Sequence, residues 1–215
     1  MKQHRRHLFA AAALWVFGMA GVLLAEHGVR HLDVQAGDLA FTLVGQVINT
    51  PPDQSSQFGY LPTITGLTEL FSSPTQDETT AFFTFFTQAT TKAIRHDGPL
   101  TIVERVGTTT VYYNVAPHAN FADPSSFQDG QAVLVLSLEQ HVVIDTSSGV
   151  FTVVNLNDVE SASPFEQDGG YLLAYASGHF QVNLTGHLDS SPPPNGHFAG
   201  YAVQGRPVAR IGRIK

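Results

Sequence analysis

The chain has 215 residues with 18 acidic and 11 basic side chains, no cysteine, and a formal net charge of −7 at pH 7. This length allows one domain with a sizeable core, and the lack of cysteine excludes disulfides and thiol chemistry. Between residues 31 and 205 the only Lys and Arg are Lys92, Arg95 and Arg105. A nucleic-acid surface needs clustered cations, so we expect no nucleic-acid partner.

The N-terminal segment has the layout of a secretory signal. Residues 1–7 are basic and residues 8–25 form an unbroken apolar run. This pattern predicts a signal peptide over residues 1–25, cleaved after Ala20 or Ala25, and a secreted or periplasmic protein. Because a run of this length approaches that of a membrane-spanning helix, a membrane anchor over residues 8–25 is the alternative.

Cleavage of the signal would leave a strongly acidic mature protein. Three of the 11 basic side chains lie in residues 1–25, which leaves eight against 18 acidic ones. Four cations are concentrated in residues 206–215, which we interpret as a solvated basic tail.

The first mature segment predicts a strand followed by a long loop. Residues 39–48 alternate as a strand does, after a turn at Gly37. Residues 50–57 have the composition of turns, and residues 58–74 combine Gly and Pro with scattered large apolar side chains. We expect the loop over residues 58–74 to fold over one end of a barrel or to form a subunit contact.

The next segments predict a further strand and a hairpin. Residues 78–94 are rich in Phe and Thr, and this β-branched and aromatic content favours a strand over a helix. Residues 100–106 and 108–115 then predict a hairpin around Gly107. Residues 116–130 contain two prolines and end in glycine, which indicates a second long loop.

Residues 131–155 define the fold class better than any other stretch. They predict two long strands joined by a tight turn, which ends at Gly149 with the positive φ that such turns need. Alternate residues from 132 to 144 are apolar except Gln140, so we expect this face to be buried. The opposite face begins apolar and becomes polar at Ser137, Glu139 and His141.

The C-terminal part completes an all-β pattern. Residues 156–170 are polar and broken by Pro and Gly, residues 171–188 predict an alternating strand, and residues 197–203 predict a closing strand. The count is about eight or nine strands, with no helix after the signal. The sequence therefore predicts a single antiparallel β-barrel of about eight strands over residues 26–205, with a β-sandwich as the alternative.

Glu104 is the first candidate for catalysis. It lies on the same side of its strand as three apolar residues, and a carboxylate on an apolar face is expected to have a raised pKa, suited to a general acid or base in a pocket. The alternative is a structural ion pair with one of the internal cations. Tyr112 and His141 are the next candidates.

Two other groups of residues are candidates, one for a hydrolase triad and one for a metal site. Ser137 and His141 stand about 13 Å apart along one strand, too far for a shared hydrogen bond, so no hydrolase triad is expected. His187 and His197 flank a turn near Asp189 but have no obvious further ligands. We therefore expect no metal and no other cofactor.

A group of aromatic and polar side chains fits the lining of an apolar cavity. Small-molecule sites are mostly apolar with a few polar groups that orient the ligand. We therefore predict that the following residues bind a ligand: Phe83, Phe85, Tyr113, Asn114 and Glu139.

Several short motifs resemble those of the allene oxide cyclase and dirigent type of β-barrel. These are Gly-Asp-Leu-Ala-Phe-Thr-Leu at residues 37–43, Phe-Gln-Asp-Gly at 127–130, Ala-Tyr-Ala-Ser-Gly-His-Phe at 174–180 and Asn-Leu-Thr-Gly at 183–186. The resemblance implies an eight-stranded barrel that holds an apolar substrate in its lumen and steers cyclisation or coupling, often as a dimer or trimer. The Gly-Gly-Thr-Gly run of dirigent-like proteins is missing, and no catalytic residue is matched.

Two functions follow as hypotheses. The first is an exported barrel that holds a small apolar molecule in its lumen, for transport or for cofactor-free cyclase or isomerase chemistry. The second is a secreted structural or adhesion protein with a β-sandwich fold, which assembles through the apolar loops 58–74 and 116–130 without catalysis.

Overall fold

The computed structural model describes residues 30–32, 34–167, 171–173 and 178–205. The predicted signal peptide and the basic tail lie outside the described residues. Within those residues the chain forms ten strands and one 3₁₀ helix: β1 (Arg30–His31), β2 (Leu39–Thr50), β3 (Gln54–Tyr60), β4 (Phe83–Asp97), β5 (Leu100–Tyr113), η1 (Pro124–Gln128), β6 (Gln131–Asp145), β7 (Val150–Ala162), β8 (Tyr171–Leu172), β9 (His179–Leu188) and β10 (Gly196–Gln204).

Eight of these strands close into one barrel. The order around the barrel is β10-β2-β3-β4-β5-β6-β7-β9, and every neighbouring pair is antiparallel. The two remaining strands, β1 and β8, pair in parallel as a separate small sheet. The predicted all-β barrel is thus confirmed, and the alternative β-sandwich is wrong because the sheet closes on itself and leaves no free edge.

Side chains alternate between the lumen and the outer wall along the barrel strands. On β6 the predicted buried face is confirmed from Leu134 to Val142. Ile144 is partly exposed, and Ala132, before a bulge in the pairing, is exposed. On β9 the apolar face is buried and the alternating polar residues lie on the outer wall. The buried residues of β9 are Phe180, Val182 and Leu184.

Several strand boundaries differ from the prediction. The hairpin predicted around Gly107 is wrong, because Leu100–Tyr113 is one continuous strand, β5. Gly107 lies inside this strand, where a Cβ would clash with the Gln88 carbonyl oxygen of β4.

Residues 54–60, predicted as turn and loop, form β3. The sequence does not predict this strand because its inward side chains are polar, so the apolar alternation that marks a strand is missing. Strand β7 continues to Ala162 instead of ending at Asn155. The single strand predicted over residues 171–188 is divided into β8 and β9, since β8 pairs with β1 outside the barrel.

The hairpin between β6 and β7 has the predicted turn. Gly149 has a φ of 72°, and its N–H donates to the Asp145 carbonyl oxygen at 2.8 Å. The Asp145 carboxylate accepts from the hydroxyl and backbone N–H of Ser147 and from the hydroxyl of Ser148. These hydrogen bonds hold the carboxylate in its charged form and lower the pKa of Asp145 to about 2.

One end of the barrel is closed by apolar side chains. Phe83 and Tyr113 lie at this end on neighbouring strands, and the Phe165 ring packs on both, with centroid distances of 5.2 and 5.0 Å. Loop residues from the β3–β4 connection join the same core: Leu61, Ile64 and Leu70. The apolar segment predicted to fold over one end of the barrel therefore packs at this closed end.

A second apolar cluster lies on the outer wall, under the connection between β5 and β6. Phe58 of β3 points outward and is fully buried, because Phe121 and Phe127 of that connection cover it at centroid distances of 6.2 and 5.3 Å. The Thr84 hydroxyl also donates to the Phe127 carbonyl oxygen at 2.8 Å. The predicted second loop therefore packs against the side of the barrel.

Candidate functional site

The barrel end opposite the closed end, here called the mouth, is formed by the connections β2–β3, β4–β5, β6–β7 and β9–β10. A set of inward polar side chains crosses the lumen below it. These residues, here called the polar layer, are Asn49, Gln57, Arg105, Gln140 and Asn155.

Gln140 is the centre of the polar layer. Its Oε1 accepts hydrogen bonds from Gln57 Nε2 and from Arg105 Nη1, both at 3.0 Å. Its Nε2 donates to Asn155 Oδ1 at 3.1 Å and to Gln57 Oε1 at 3.2 Å. Gln140 is 1% exposed. Four strands are therefore linked through side chains inside the lumen, where an unpaired amide would be costly.

Arg105 places a positive charge in this layer. Its Nη2 donates to Asn49 Oδ1 at 3.2 Å and its Nε to Thr91 Oγ1 at 3.4 Å. Burial lowers the pKa of the Arg105 guanidinium, but an arginine pKa starts so high that the group stays charged at neutral pH. All the hydrogen-bond acceptors that hold this cation are neutral.

Two cavities lie on either side of the polar layer. The deep cavity, toward the closed end, leaves about 20 Å³ for the centre of a water molecule. The mouth cavity leaves about 30 Å³. Gln57, Leu184 and Phe198 line both. Each space is large enough for one or two waters, so side chains fill most of the lumen.

The deep cavity contains an unsatisfied polar atom. Asn157 lines it and is 1% exposed. Its Nδ2 donates to the Ser137 carbonyl oxygen at 3.0 Å, whereas its Oδ1 is buried without a hydrogen-bond partner. Because an unsatisfied buried acceptor destabilises the fold, a ligand that enters the cavity and donates a hydrogen bond to Asn157 Oδ1 would be bound favourably.

The mouth cavity combines apolar walls with the charged end of Arg105. Asn49 is exposed, and Arg105, Ile144 and Leu188 are partly exposed, so this cavity opens to solvent. The apolar residues of its wall are Val47, Val142, Ile144, Phe151, Val153, Leu184, Leu188 and Phe198.

The predicted ligand-binding residues separate into four places. Phe85 lines the deep cavity, and Phe83 and Tyr113 belong to the packed closed end. Asn114 follows β5, where its Oδ1 accepts from the Ala116 N–H at 3.0 Å. Glu139 is exposed on the outer wall of β6. Apart from Phe85, these residues line neither cavity.

Glu104 faces the outer wall and not a pocket. Its carboxylate pairs with the Arg95 guanidinium, and this hydrogen bond lowers the pKa of Glu104. The expected raised pKa is therefore wrong, and the ion pair with an internal cation is what the structure shows. The residues of β5 that were expected to be buried with Glu104 also point outward, because β5 buries the less apolar face, which carries Arg105 and Thr109.

The other two candidate catalytic residues also lie outside the lumen. His141 is exposed on β6 directly opposite Glu104. Tyr112 packs against the outer aromatic cluster. The structure thus brings Glu104 and His141 together on the outer wall, on the same face as Glu139, but it joins none of the three to a cavity.

Sequence reasoning missed most of the lumen's polar groups. Gln140 was visible as the single polar interruption of an apolar face, and that interruption was the available signal. Asn155 and Asn157 of β7 occupy two consecutive positions of the inward face, between Val153 and Val159. Arg105 gave no signal, since its strand looks more apolar on the opposite face.

The histidines near the β9–β10 turn are held by other groups. His187 and His197 are directly opposite in the pairing of these strands. His197 Nδ1 lies 2.9 Å from an Asp189 carboxylate oxygen, and His187 Nδ1 lies 2.8 Å from the Leu188 carbonyl oxygen. Within the described parts of the chain, no three His, Cys, Asp or Glu side chains are grouped so that they could hold a metal ion.

Comparison of the chain with protein-family models, with curated proteins and with solved structures finds no match. The resemblance to allene oxide cyclase and dirigent-like barrels therefore stays a prediction. Among the residues that the structure describes, no helix has the length and apolar composition needed to cross a membrane.

Proposed function

We propose that this barrel binds a small, largely apolar molecule in its lumen, which enters through the mouth. The observation that carries the proposal is the pair of cavities on either side of the polar layer, with apolar walls and a few polar groups. Small-molecule sites commonly have this composition, and barrels commonly place them in the lumen. The unpaired Asn157 Oδ1 supplies an acceptor that can orient a ligand in the deep cavity.

The size of the cavities limits the ligand. With about 20 and 30 Å³ open to water centres, each cavity accepts only a few non-hydrogen atoms without movement of a side chain. A longer ligand would span both cavities and would require the Gln57 and Gln140 side chains to separate. We therefore expect small ligands of about four to six heavy atoms, which exceed the one or two waters that a cavity holds and must push lining side chains aside on entry.

The lining favours binding over acid–base catalysis. Among the described residues that line the two cavities, none is an Asp, Glu, His or Tyr, the side chains that most often transfer protons in active sites. A carrier or sensor role therefore fits better than the cyclase or isomerase chemistry that the family resemblance implies. With the predicted export, this binding takes place outside the cytoplasm.

A pair of adjacent substitutions on β7 tests the proposal. Val153 is 5% exposed and lines the mouth cavity, whereas Val154 points outward and is 39% exposed. We expect butan-1-ol at millimolar concentrations to bind in the lumen and to change the backbone amide chemical shifts of lumen residues, measured by NMR. Val153→Phe fills the mouth cavity, so it should weaken this binding by about tenfold or more, equivalent to at least 1.4 kcal/mol. Val154→Phe should leave binding unchanged.

Thermal unfolding of both variants shows whether the added ring has disrupted the barrel, because overpacking alone can destabilise a core. Amide shifts confined to the outer wall would contradict binding in the lumen. So would equal affinities of two folded variants.

A second candidate function is self-assembly through the outer surface of the barrel, as in the structural or adhesion protein predicted as the alternative, but without a β-sandwich fold. The outer wall of β5, β6 and β7 carries apolar side chains that are between 37% and 39% exposed: Val106, Val143, Val154 and Leu156. A shared apolar surface of this kind favours contact with a second copy of the chain. A native mass spectrum that shows a dimer or trimer would support this candidate, and a monomer at all protein concentrations would contradict it.

A further inference from the structure

Arg105 is a cation that faces the lumen. Among the described residues, no carboxylate lies within 4.0 Å of it, and the four contacts between basic and acidic side chains in this part of the chain involve other groups. Those pairs are Arg95–Glu104, His118–Asp129, His179–Asp158 and His197–Asp189.

The lack of a partner is unusual for this composition. The chain has more acidic than basic side chains, 18 against 11, yet none of the acidic side chains in the described ranges lies beside Arg105. Taking a charge out of water is costly unless an opposite charge accompanies it. An anion that reaches Arg105 from solvent would offset that cost, so the site should bind a negatively charged ligand favourably.

The guanidinium also keeps hydrogen-bond capacity. Of its five N–H groups, one each is used toward Thr91, Gln140 and Asn49, which leaves two that donate to no residue of the described ranges. Arginine pairs with carboxylates more strongly than with neutral acceptors, because the hydrogen bonds are charge-assisted. The two remaining donors therefore suit a carboxylate oxygen.

The walls of the mouth cavity define the rest of the ligand. Phe151, Val153 and Leu188 line the same cavity as Arg105, so an apolar group beside the carboxylate would be removed from water. We propose that the lumen binds a small organic acid with a short apolar body, its carboxylate held by Arg105 at the polar layer. This inference rests on the proposed lumen binding and names the ligand class.

A matched pair of probes separates charge from shape. Butanoate and butan-1-ol have bodies of similar size, but only butanoate carries an anion at neutral pH. We expect wild-type protein to bind butanoate about tenfold or more tightly than butan-1-ol, as one charge-assisted pairing would give. Amide shifts and the Arg105 Nε–H signal, measured by NMR in low-chloride buffer, report the binding.

Variants at two arginines locate the effect. Arg105→Gln should reduce butanoate affinity to that of butan-1-ol, and Arg105→Lys should retain part of the preference because it keeps the charge without the planar fork. Arg95→Gln is the matched control: Arg95 is exposed on the outer wall, so butanoate affinity should not change. Thermal unfolding verifies that each variant is folded.

The outcomes distinguish this inference from the proposed function. If butan-1-ol binds in the lumen but butanoate gains nothing, the carboxylate inference is wrong while lumen binding stands. If neither probe binds in the lumen, both are wrong. If chloride or inorganic phosphate binds as tightly as butanoate, the site takes inorganic anions and the organic-acid inference is overturned.

Discussion

Replacement of Gln140 by leucine is expected to lower the free energy of unfolding by about 3 kcal/mol. Leucine has a similar size, so the packing volume changes little, but the hydrogen bonds to Gln57, Arg105 and Asn155 are lost. Those groups would then be left in the lumen with fewer partners. For a chain of this length the midpoint of thermal unfolding should fall by roughly 6–12 °C, measured by circular dichroism.

Gln88→Leu is the matched control for this prediction. Gln88 lies on the exposed outer face of β4, and the same exchange there should change stability by less than about 0.5 kcal/mol. Gln140→Leu would contradict the role of the polar layer if it unfolded at the same temperature as wild type. A rise in stability would show that the network costs more than it contributes.

Replacement of Phe58 by alanine is expected to have the largest effect of any single substitution considered, about 4 kcal/mol of unfolding free energy. Phe58 is fully buried on the outside of the barrel, where the Phe86 and Phe127 rings pack at centroid distances of 6.1 and 5.3 Å. Its removal leaves a cavity between the wall and the covering connection. Denaturant unfolding followed by fluorescence or circular dichroism measures the loss.

Tyr201→Ala provides the comparison for Phe58. Tyr201 also points outward from a barrel strand but is 47% exposed, so its removal should cost less than about 1 kcal/mol. Similar losses for the two variants would mean that residues 114–130 do not seal the wall in solution. Susceptibility of this connection to proteolysis should rise in Phe58→Ala and stay unchanged in Tyr201→Ala.

The fold was predictable because the strands that decide it carry clear alternation. The inward residues of β6 and β9 are mostly apolar while their outward residues are mixed or polar, so the period of two is visible in the sequence. The turn composition that ends at Gly149 also predicted that β6 and β7 form a hairpin. The same logic failed for β3, whose inward Ser55 and Gln57 carry no apolar signal.

The candidate site was less predictable because the lumen is partly polar inside. On β5 an apolar pattern suggested that Glu104 was buried, but in a barrel the outer wall can be as apolar as the inner one, and the pattern does not say which face turns inward. Contacts that join Gln57, Gln140 and Arg105 come from three strands. Such contacts depend on the register of the closed barrel, which spacing along one strand does not give.

Native mass spectrometry of the protein purified from its own source, with native and denatured masses compared, asks directly whether the lumen holds a ligand. We expect the native protein to carry a short carboxylic acid, which is lost on denaturation. A protein that is ligand-free in the native state, and that still binds neither butanoate nor butan-1-ol in its lumen, would show that the barrel does not bind a small organic molecule.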